Sequence, residues 1–423
     1  MTPRDLLLGS FKAAIAAADP LLIVPPHLPA PPKGRTLVVG AGKAAAAMAL
    51  AVEQHWPSAA PLHGIVITRY GHGVLTNRIT VIEAGHPLPD ESGQIAAKTI
   101  FDSVKRLAKD DLLIALVSGG GSSLLALPVP AISMPDLKSI TAGLLRCGAP
   151  IQDINTIRKH LSLIQGGRLA AACKARILAL VISDVTGDDA THVASGPCAP
   201  DPTTYADAME ILRRHDCKVP DAVRSALQQG VRGNMAETPK PGDPAFDRTE
   251  NNVIATAQQS LQAAAKFFEA HGIRAAILSD SVTGEAREVA KVHAALAREI
   301  AAHGQPFKPP VALLSGGECT VTVKGAGRGG RCTEFLLSLS SELRFESNIY
   351  ALACDTDGID GTEDNAGAIA TPDTSTRAAQ LGLNAGAMLA NNDAYGYFSA
   401  LGDLIVTGPT RTNVNDYRAI LIT

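Results

Sequence analysis

Short apolar runs that alternate with alanine-rich stretches constrain this chain more than any other feature. TLVVG (Thr36–Gly40), GIVITR (Gly64–Arg69), ITVIEAG (Ile79–Gly85), LLIALVSGG (Leu112–Gly120) and RILALVISD (Arg176–Asp184) read as strands. NVIATA (Asn252–Ala257), RAAILSD (Arg274–Asp280), VALLSGG (Val311–Gly317) and IYALACD (Ile349–Asp355) follow later. Helix-like segments lie between them, such as Lys43–His55, Ser92–Leu107 and Gly284–Ala302. A continuously apolar strand needs cover on both faces, and the intervening helices supply it, so the chain reads as α/β with parallel sheets.

At 423 residues the chain exceeds one core, and two or three domains are expected. The best boundary is Val231–Glu250, a polar stretch with Pro239, Pro241 and Pro244 around Gly242, read as a linker or an exposed loop. Two echoes cross it: Ile177–Asp189 resembles Ala275–Ala286, and Ala115–Ser123 resembles Ala312–Thr320. They read as strand ends that open into polar, glycine-rich turns, or as the remnant of a duplication.

The balance of 38 basic against 41 acidic residues gives no field to draw in nucleic acid or anionic lipid. With 4% aromatic residues, the composition also argues against a base-stacking surface. Seven scattered cysteines without a Cys-x-x-Cys pair favour a reducing compartment over a disulfide framework or a structural zinc site. The apolar runs are far shorter than a membrane span, and the N-terminus, with Asp5 and Lys12, reads as an amphipathic helix. A cytoplasmic protein is expected.

In an open α/β sheet the ligand lies beyond the carboxyl ends of the strands, and there this chain collects its polar residues. VVGAGKAA (Val38–Ala45) has Gly40 and Gly42 for close backbone approach and Lys43 where a helix begins. Its G-x-G-x-x-A pattern raises a dinucleotide reading, but no acid stands about 20 residues on to hold a ribose. A P-loop fails as well, since no Ser or Thr follows the lysine. SGGGSS (Ser118–Ser123) offers amides and hydroxyls to phosphate oxygens, with Gly119, Gly120, Gly121, Ser122 and Ser123 as the candidate cradle beside Gly42. SDVTGDD supplies Asp184 and Asp188, and CDTDGIDG supplies Asp355 and Asp357, carboxylates suited to Mg²⁺ or to deprotonating an alcohol. GAGRGGRCTE, after a short strand expected at Thr320–Lys324, puts Arg331 at a helix start among glycines. His86 at a strand end, Glu318 and Arg411 complete the polar set as substrate-binding candidates. Cations, glycine-lined donors and two aspartate groups are the equipment of phosphoryl transfer, which asks mainly for positioning and charge stabilisation.

Taken together, VVGAGKAA, EAGHPLPDE, LVSGGGSSLL, INTIRKHLSLIQGGRLA, ISDVTGDD with ASGP, LLSGGECTVTVKGAGRGGR, DTDGIDG, DTSTRAA, NNDAYGYF and LGDLIVTGPTRTNVND resemble the glycerate 2-kinase family, whose C-terminal part is the MOFRL domain. The resemblance spans nearly the whole chain. It implies two α/β domains, the N-terminal one Rossmann-like (1–240) and the C-terminal one a mixed α/β domain containing MOFRL (250–423), with the active site in the cleft between them. It further implies phosphorylation of D-glycerate at its 2-hydroxyl by ATP with Mg²⁺ or another divalent cation. The partners are then glycerate and ATP, with a homodimer kept as an assembly to test. Lys43 matches the family's motif lysine and Arg331 its motif arginine, and replacing either by Ala is expected to abolish most turnover with the fold intact. Asp184 is the third catalytic candidate; Asp188, Asp355 and Asp357 are the metal candidates. Where the family continues with Asn-Gln-Glu, this chain has Cys332-Thr333-Glu334, so any substrate contact by those amides is lost. Some members carry the label hydroxypyruvate reductase, so NAD(P)H-dependent reduction remains an alternative, as does a non-catalytic sugar-acid or nucleotide sensor.

Overall fold

Each of the nine apolar runs contains a strand in the computed structural model, which describes residues 1–343 and 346–423. In the first unit, Pro20–Ile254, the strands are β1 (Thr36–Ala41), β2 (Leu62–Arg69), β3 (Ile79–Ala84), β4 (Leu112–Ser118), β5 (Arg176–Ile182) and β6 (Thr249–Ala255). They form a six-stranded parallel sheet in the order β3-β2-β1-β4-β5-β6. Central β1 and β4 are buried at every residue, as their unbroken apolar sequences require. The chain winds outward from β1 through β2 to β3, then resumes on the other side with β4. The strand order therefore reverses between β1 and β4, and the crevice at their carboxyl ends is the position where doubly wound sheets bind ligands.

The second unit holds Met1–Asp19 and Ala255–Thr423. Its strands are β7 (Arg274–Ser279), β8 (Val311–Ser315), β9 (Ile349–Asp355), β10 (Gly367–Ala370), β11 (Leu404–Ile405) and β12 (Asp416–Ile422). Their order is β11-β10-β9-β12-β8-β7, with β7 and β8 parallel and the remaining neighbours antiparallel. This is the mixed sheet expected. The two sequence echoes fall on β4 with β5 and on β8 with β7, each an adjacent parallel pair ending in a polar turn.

Three local expectations change. Residues 1–19 were assigned with the N-terminal domain, yet the helix Pro3–Ala16 packs on the C-terminal sheet. It buries Leu7, Phe11 and Ala14, stacks Phe11 on Tyr417 at 5.7 Å and receives the Tyr417 hydroxyl on Ser10 Oγ at 2.7 Å. Its apolar face, not its place in the chain, chooses its partner. The segment Val231–Glu250 belongs to the first unit and is tied there by Glu237, which accepts from the Tyr205 amide at 3.1 Å; the division falls after Ile254. Thr320–Lys324 is irregular, because the Thr322 amide donates to Glu285 and the Lys324 amide to Asn392 Oδ1 at 2.8 Å instead of to a neighbouring strand. Among the described residues no single helix is long and apolar enough to cross a membrane.

Phe11→Ala removes a buried ring from the face that joins the first helix to its sheet. It should cost about 3–5 kcal/mol of unfolding free energy, read as a lower midpoint in urea titration of the full chain.

Candidate active site

The turns after β1 and β4 are bound to each other through the backbone. Gly42 N–H donates to the Ile67 carbonyl at 3.1 Å, Lys43 N–H to the Gly119 carbonyl at 2.8 Å and Ala44 N–H to Ser118 Oγ at 3.1 Å. Three successive amides of the G-x-G-x-x-A turn are thus engaged within the fold. Gly42 was expected to bind phosphate, but its amide is committed and its contribution is steric. At φ +138 a Cβ there would stand 2.1 Å from Ser118 Oγ.

The SGGGSS turn differs. Among the described residues the amides of Gly119 to Ser123 donate to no carbonyl or side chain. Gly120, at φ +79, lies so close to two other candidates that a Cβ would meet His86 Nε2 at 2.8 Å and Lys43 Cγ at 3.4 Å. Lys43, His86 and the glycine turn therefore form one cluster at the reversal of strand order. Asp90 holds the His86 turn, since its carboxylate caps the helix Glu91–Val104 through Gly93 N–H (3.0 Å) and also accepts from Gly85 N–H (2.9 Å). Asp184 follows β5, the next strand, and is half-buried. Asp188 sits in the same loop with φ +54, its amide donating to the Val185 carbonyl.

Behind the turn lies a polar group that the residue-by-residue reading did not single out. Ser122 Oγ meets Ser195 Oγ at 2.9 Å, and Ser195 Oγ donates to Asn155 Oδ1 at 3.2 Å. Ala194 and Ser195 both hold positive φ, +50 and +59, a conformation costing roughly 1–2 kcal/mol per residue. Bonds from Gly166 and Gly167 amides to the Ser195 and Gly196 carbonyls help hold it. Asn155 and Arg158 are one turn apart on the helix Ile151–His160, on the face toward these serines. The helix is anchored on another side by Lys159, which pairs with Asp201 at 3.4 Å, both fully buried. The i, i+3 spacing puts Asn155 and Arg158 on one helix face but does not reveal the serines they meet.

In the second unit Asp355 and Asp416 stand directly opposite on the antiparallel strands β9 and β12. Two like charges so placed repel. Arg331 resolves this: Nε donates to Asp416 at 2.7 Å, one terminal nitrogen to Asp355 at 2.7 Å and the other to Glu318 at 3.0 Å. Burial alone would depress the guanidinium pKa, but Asp416, Asp355 and Glu318 outweigh it and raise it well above the usual value. Asp416 is shared with Arg418 at 2.5 Å. Arg331 thus brings together two residues assigned separately: Asp355 as a metal candidate and Glu318 as a substrate candidate. Asp357 lies beside Asp355, to which its amide donates at 3.0 Å, and its own carboxylate accepts from Ile359 N–H at 2.8 Å. The exposed Arg411 follows Thr410, whose amide donates to the Asp357 carbonyl at 3.0 Å. Among the described residues no group of three or more His, Cys, Asp or Glu is placed to hold a metal ion.

Cys332 and Thr333, which replace the family's two amides, are wholly buried. Asp360 caps their helix by accepting from Cys332 N–H (2.9 Å), Thr333 N–H (2.8 Å) and Thr333 Oγ1 (2.7 Å). Burial raises both the Asp360 carboxyl and the Cys332 thiol pKa. This pair supports the helix that carries Arg331. Glu334 is likewise engaged, by Arg287 at 2.7 Å and Asn392 at 2.9 Å.

Comparison with known proteins agrees with this architecture. Residues 6–228 match a domain of unknown function, DUF4147, and residues 311–416 match the MOFRL family. A putative hydroxypyruvate reductase of Agrobacterium vitis is 49% identical, covering 100% of this chain and 95% of that protein. A glycerate 2-kinase of Pyrococcus horikoshii is 40% identical over 92% of this chain and 88% of its own length. The crystal structure of a glycerate kinase from Thermotoga maritima superposes with a TM-score of 0.87 at 35% identity, covering 99% of both chains.

Asp416→Asn removes the carboxylate that Arg331 and Arg418 share. Breaking a buried pair in this way should destabilise the protein by about 3–5 kcal/mol, measured as a loss of unfolding free energy in denaturant.

Proposed function

We propose that this chain, which belongs to the MOFRL-containing glycerate 2-kinase family, transfers the γ-phosphoryl group of ATP to the 2-hydroxyl of D-glycerate. The products are 2-phospho-D-glycerate and ADP. The observation that carries this reading is the cluster of Lys43, His86 and the SGGGSS turn at the reversal of strand order. The uncommitted amides of Gly119–Ser123 suit phosphate oxygens, and Lys43 supplies a cation to the transferring group. Attack by the substrate hydroxyl forms the new P–O bond as the bond to the ADP oxygen breaks. Asp184 is our candidate to accept the hydroxyl proton. His86 and Arg411 are candidates for substrate contact, and Arg331 for stabilising phosphoryl charge, its Glu318 side being the more exposed. Divalent cation enters as part of the MgATP substrate, with Asp188, Asp355 and Asp357 as candidate single ligands. Seven free cysteines suit a reducing, cytoplasmic setting.

The names of the Agrobacterium vitis relatives favour a second reading, reduction of hydroxypyruvate by NAD(P)H. Two features weigh against it. The amides that would cradle a pyrophosphate after β1 are engaged by Ile67, Gly119 and Ser118. The carboxyl end of β2, where a ribose-binding acid belongs, carries Thr68 and Arg69 instead.

Incubation with D-glycerate and MgATP should release ADP and 2-phosphoglycerate, while hydroxypyruvate alone should leave NADH and NADPH unconsumed. The reverse pattern would establish the reductase. Lys43→Ala should lower turnover by about 100-fold or more with an unchanged circular dichroism spectrum. Arg331→Ala is a poorer probe than the sequence suggested, since it also leaves Asp355 and Asp416 opposed without their cation.

A further inference from the structure

Arg158 lines a small pocket together with Ser122, Ser123, Thr141, Ser162 and Gln165. It is half-buried, and among the described residues no carboxylate lies within ion-pair distance of it. One of its donors goes to the neutral Asn155 Oδ1 at 3.3 Å. Burial lowers its pKa to about 10, which still leaves it fully charged at neutral pH. Every other polar side chain of the pocket has a partner. Ser122 is held by Ser195, Ser123 by the Gly120 carbonyl, Thr141 by the Leu137 carbonyl and Ser162 by Leu127, while Gln165 donates to the Ser122 and Leu125 carbonyls. What remains for a ligand is chiefly a guanidinium and the amides of the adjoining glycine turn, with Gln165 Oε1 as an acceptor beside them.

A desolvated cation without an acid partner is costly and persists where a ligand brings the opposite charge. The planar fork of Arg matches a carboxylate through two parallel hydrogen bonds. We propose that Arg158 binds the carboxylate of the three-carbon hydroxy acid in this pocket, placing its hydroxyl toward the SGGGSS turn. This rests on the kinase reading above for the identity of the acid. Arg158 is then a substrate-binding residue that fixes which end of the acid faces the phosphoryl donor.

Arg158→Met and Arg158→Lys, compared with the wild-type chain, test it. In Arg158→Met the KM for D-glycerate should rise about 10- to 100-fold, the scale of a charge-assisted hydrogen-bond pair, with the KM for ATP unchanged. Arg158→Lys, which keeps the charge and loses the fork, should fall between. The melting temperature of Arg158→Met should not fall, because no ion pair is broken; a large fall would show a structural arginine and overturn the proposal. An unchanged KM for glycerate, or a rise confined to ATP, would overturn it too. D-glycerate without nucleotide should also raise the melting temperature of the wild-type chain and not that of Arg158→Met. That binding measurement decides the role of Arg158 even if the wild-type chain makes no phosphoglycerate, an outcome that would sink the kinase reading alone.

Discussion

The backbone tie between the turns after β1 and β4 is the constraint on which the N-terminal site depends. Lys43 N–H reaches the Gly119 carbonyl and Ala44 N–H reaches Ser118 Oγ, so two loops far apart in the chain are held together as one piece. Glycine is needed where that piece is tightest: a side chain at Gly42 would strike Ser118, and one at Gly120 would strike His86. The tie uses the amides of the first turn and leaves those of the second uncommitted. A loop with the spacing of a dinucleotide fingerprint thereby becomes a support, and its neighbour keeps amides to offer a ligand.

In the second unit the corresponding constraint is a repulsion. The register of β9 and β12 sets Asp355 against Asp416, an arrangement that only a shared cation makes tolerable. Arg331 is that cation, aimed by a helix whose first turn is capped by the buried Asp360. Cys332 and Thr333 are buried in the first turn of this helix, beside the residue that carries the guanidinium. Thr333 even joins the cap through its hydroxyl.

How far the sequence foretold this depends on whether a feature is local. Strands such as Leu112–Ser118 are legible because their burial on both faces is written in an unbroken apolar run. The polar turns that follow them are legible because a sheet presents its strand ends together. Pairings made by tertiary packing were not. Nothing within Pro3–Ala16 names Tyr417 as its partner, and nothing within CDTDGIDG says that Asp355 faces Arg331 while Asp360 caps a helix. Asn155 and Arg158 lay in a stretch that matched the family as a block. Their one-turn spacing carries no sign of the serines opposite until Ala194 and Ser195 adopt their left-handed backbone.

The two arginines show how pairing divides the work of charge. Arg331 meets three carboxylates, two of them buried, so it adds little net positive field; what it offers is a guanidinium already fixed in place, with no reorganisation needed as charge develops. Arg158 meets none, and in its half-buried pocket the attraction for an incoming anion is weakly screened. An uncompensated cation is suited to capturing a ground-state carboxylate, whereas a neutralised and immobile one is suited to a charge that appears only during transfer. On the functions proposed above, the same residue type serves binding at one place and catalysis at another, and the number of acids around each guanidinium distinguishes the two.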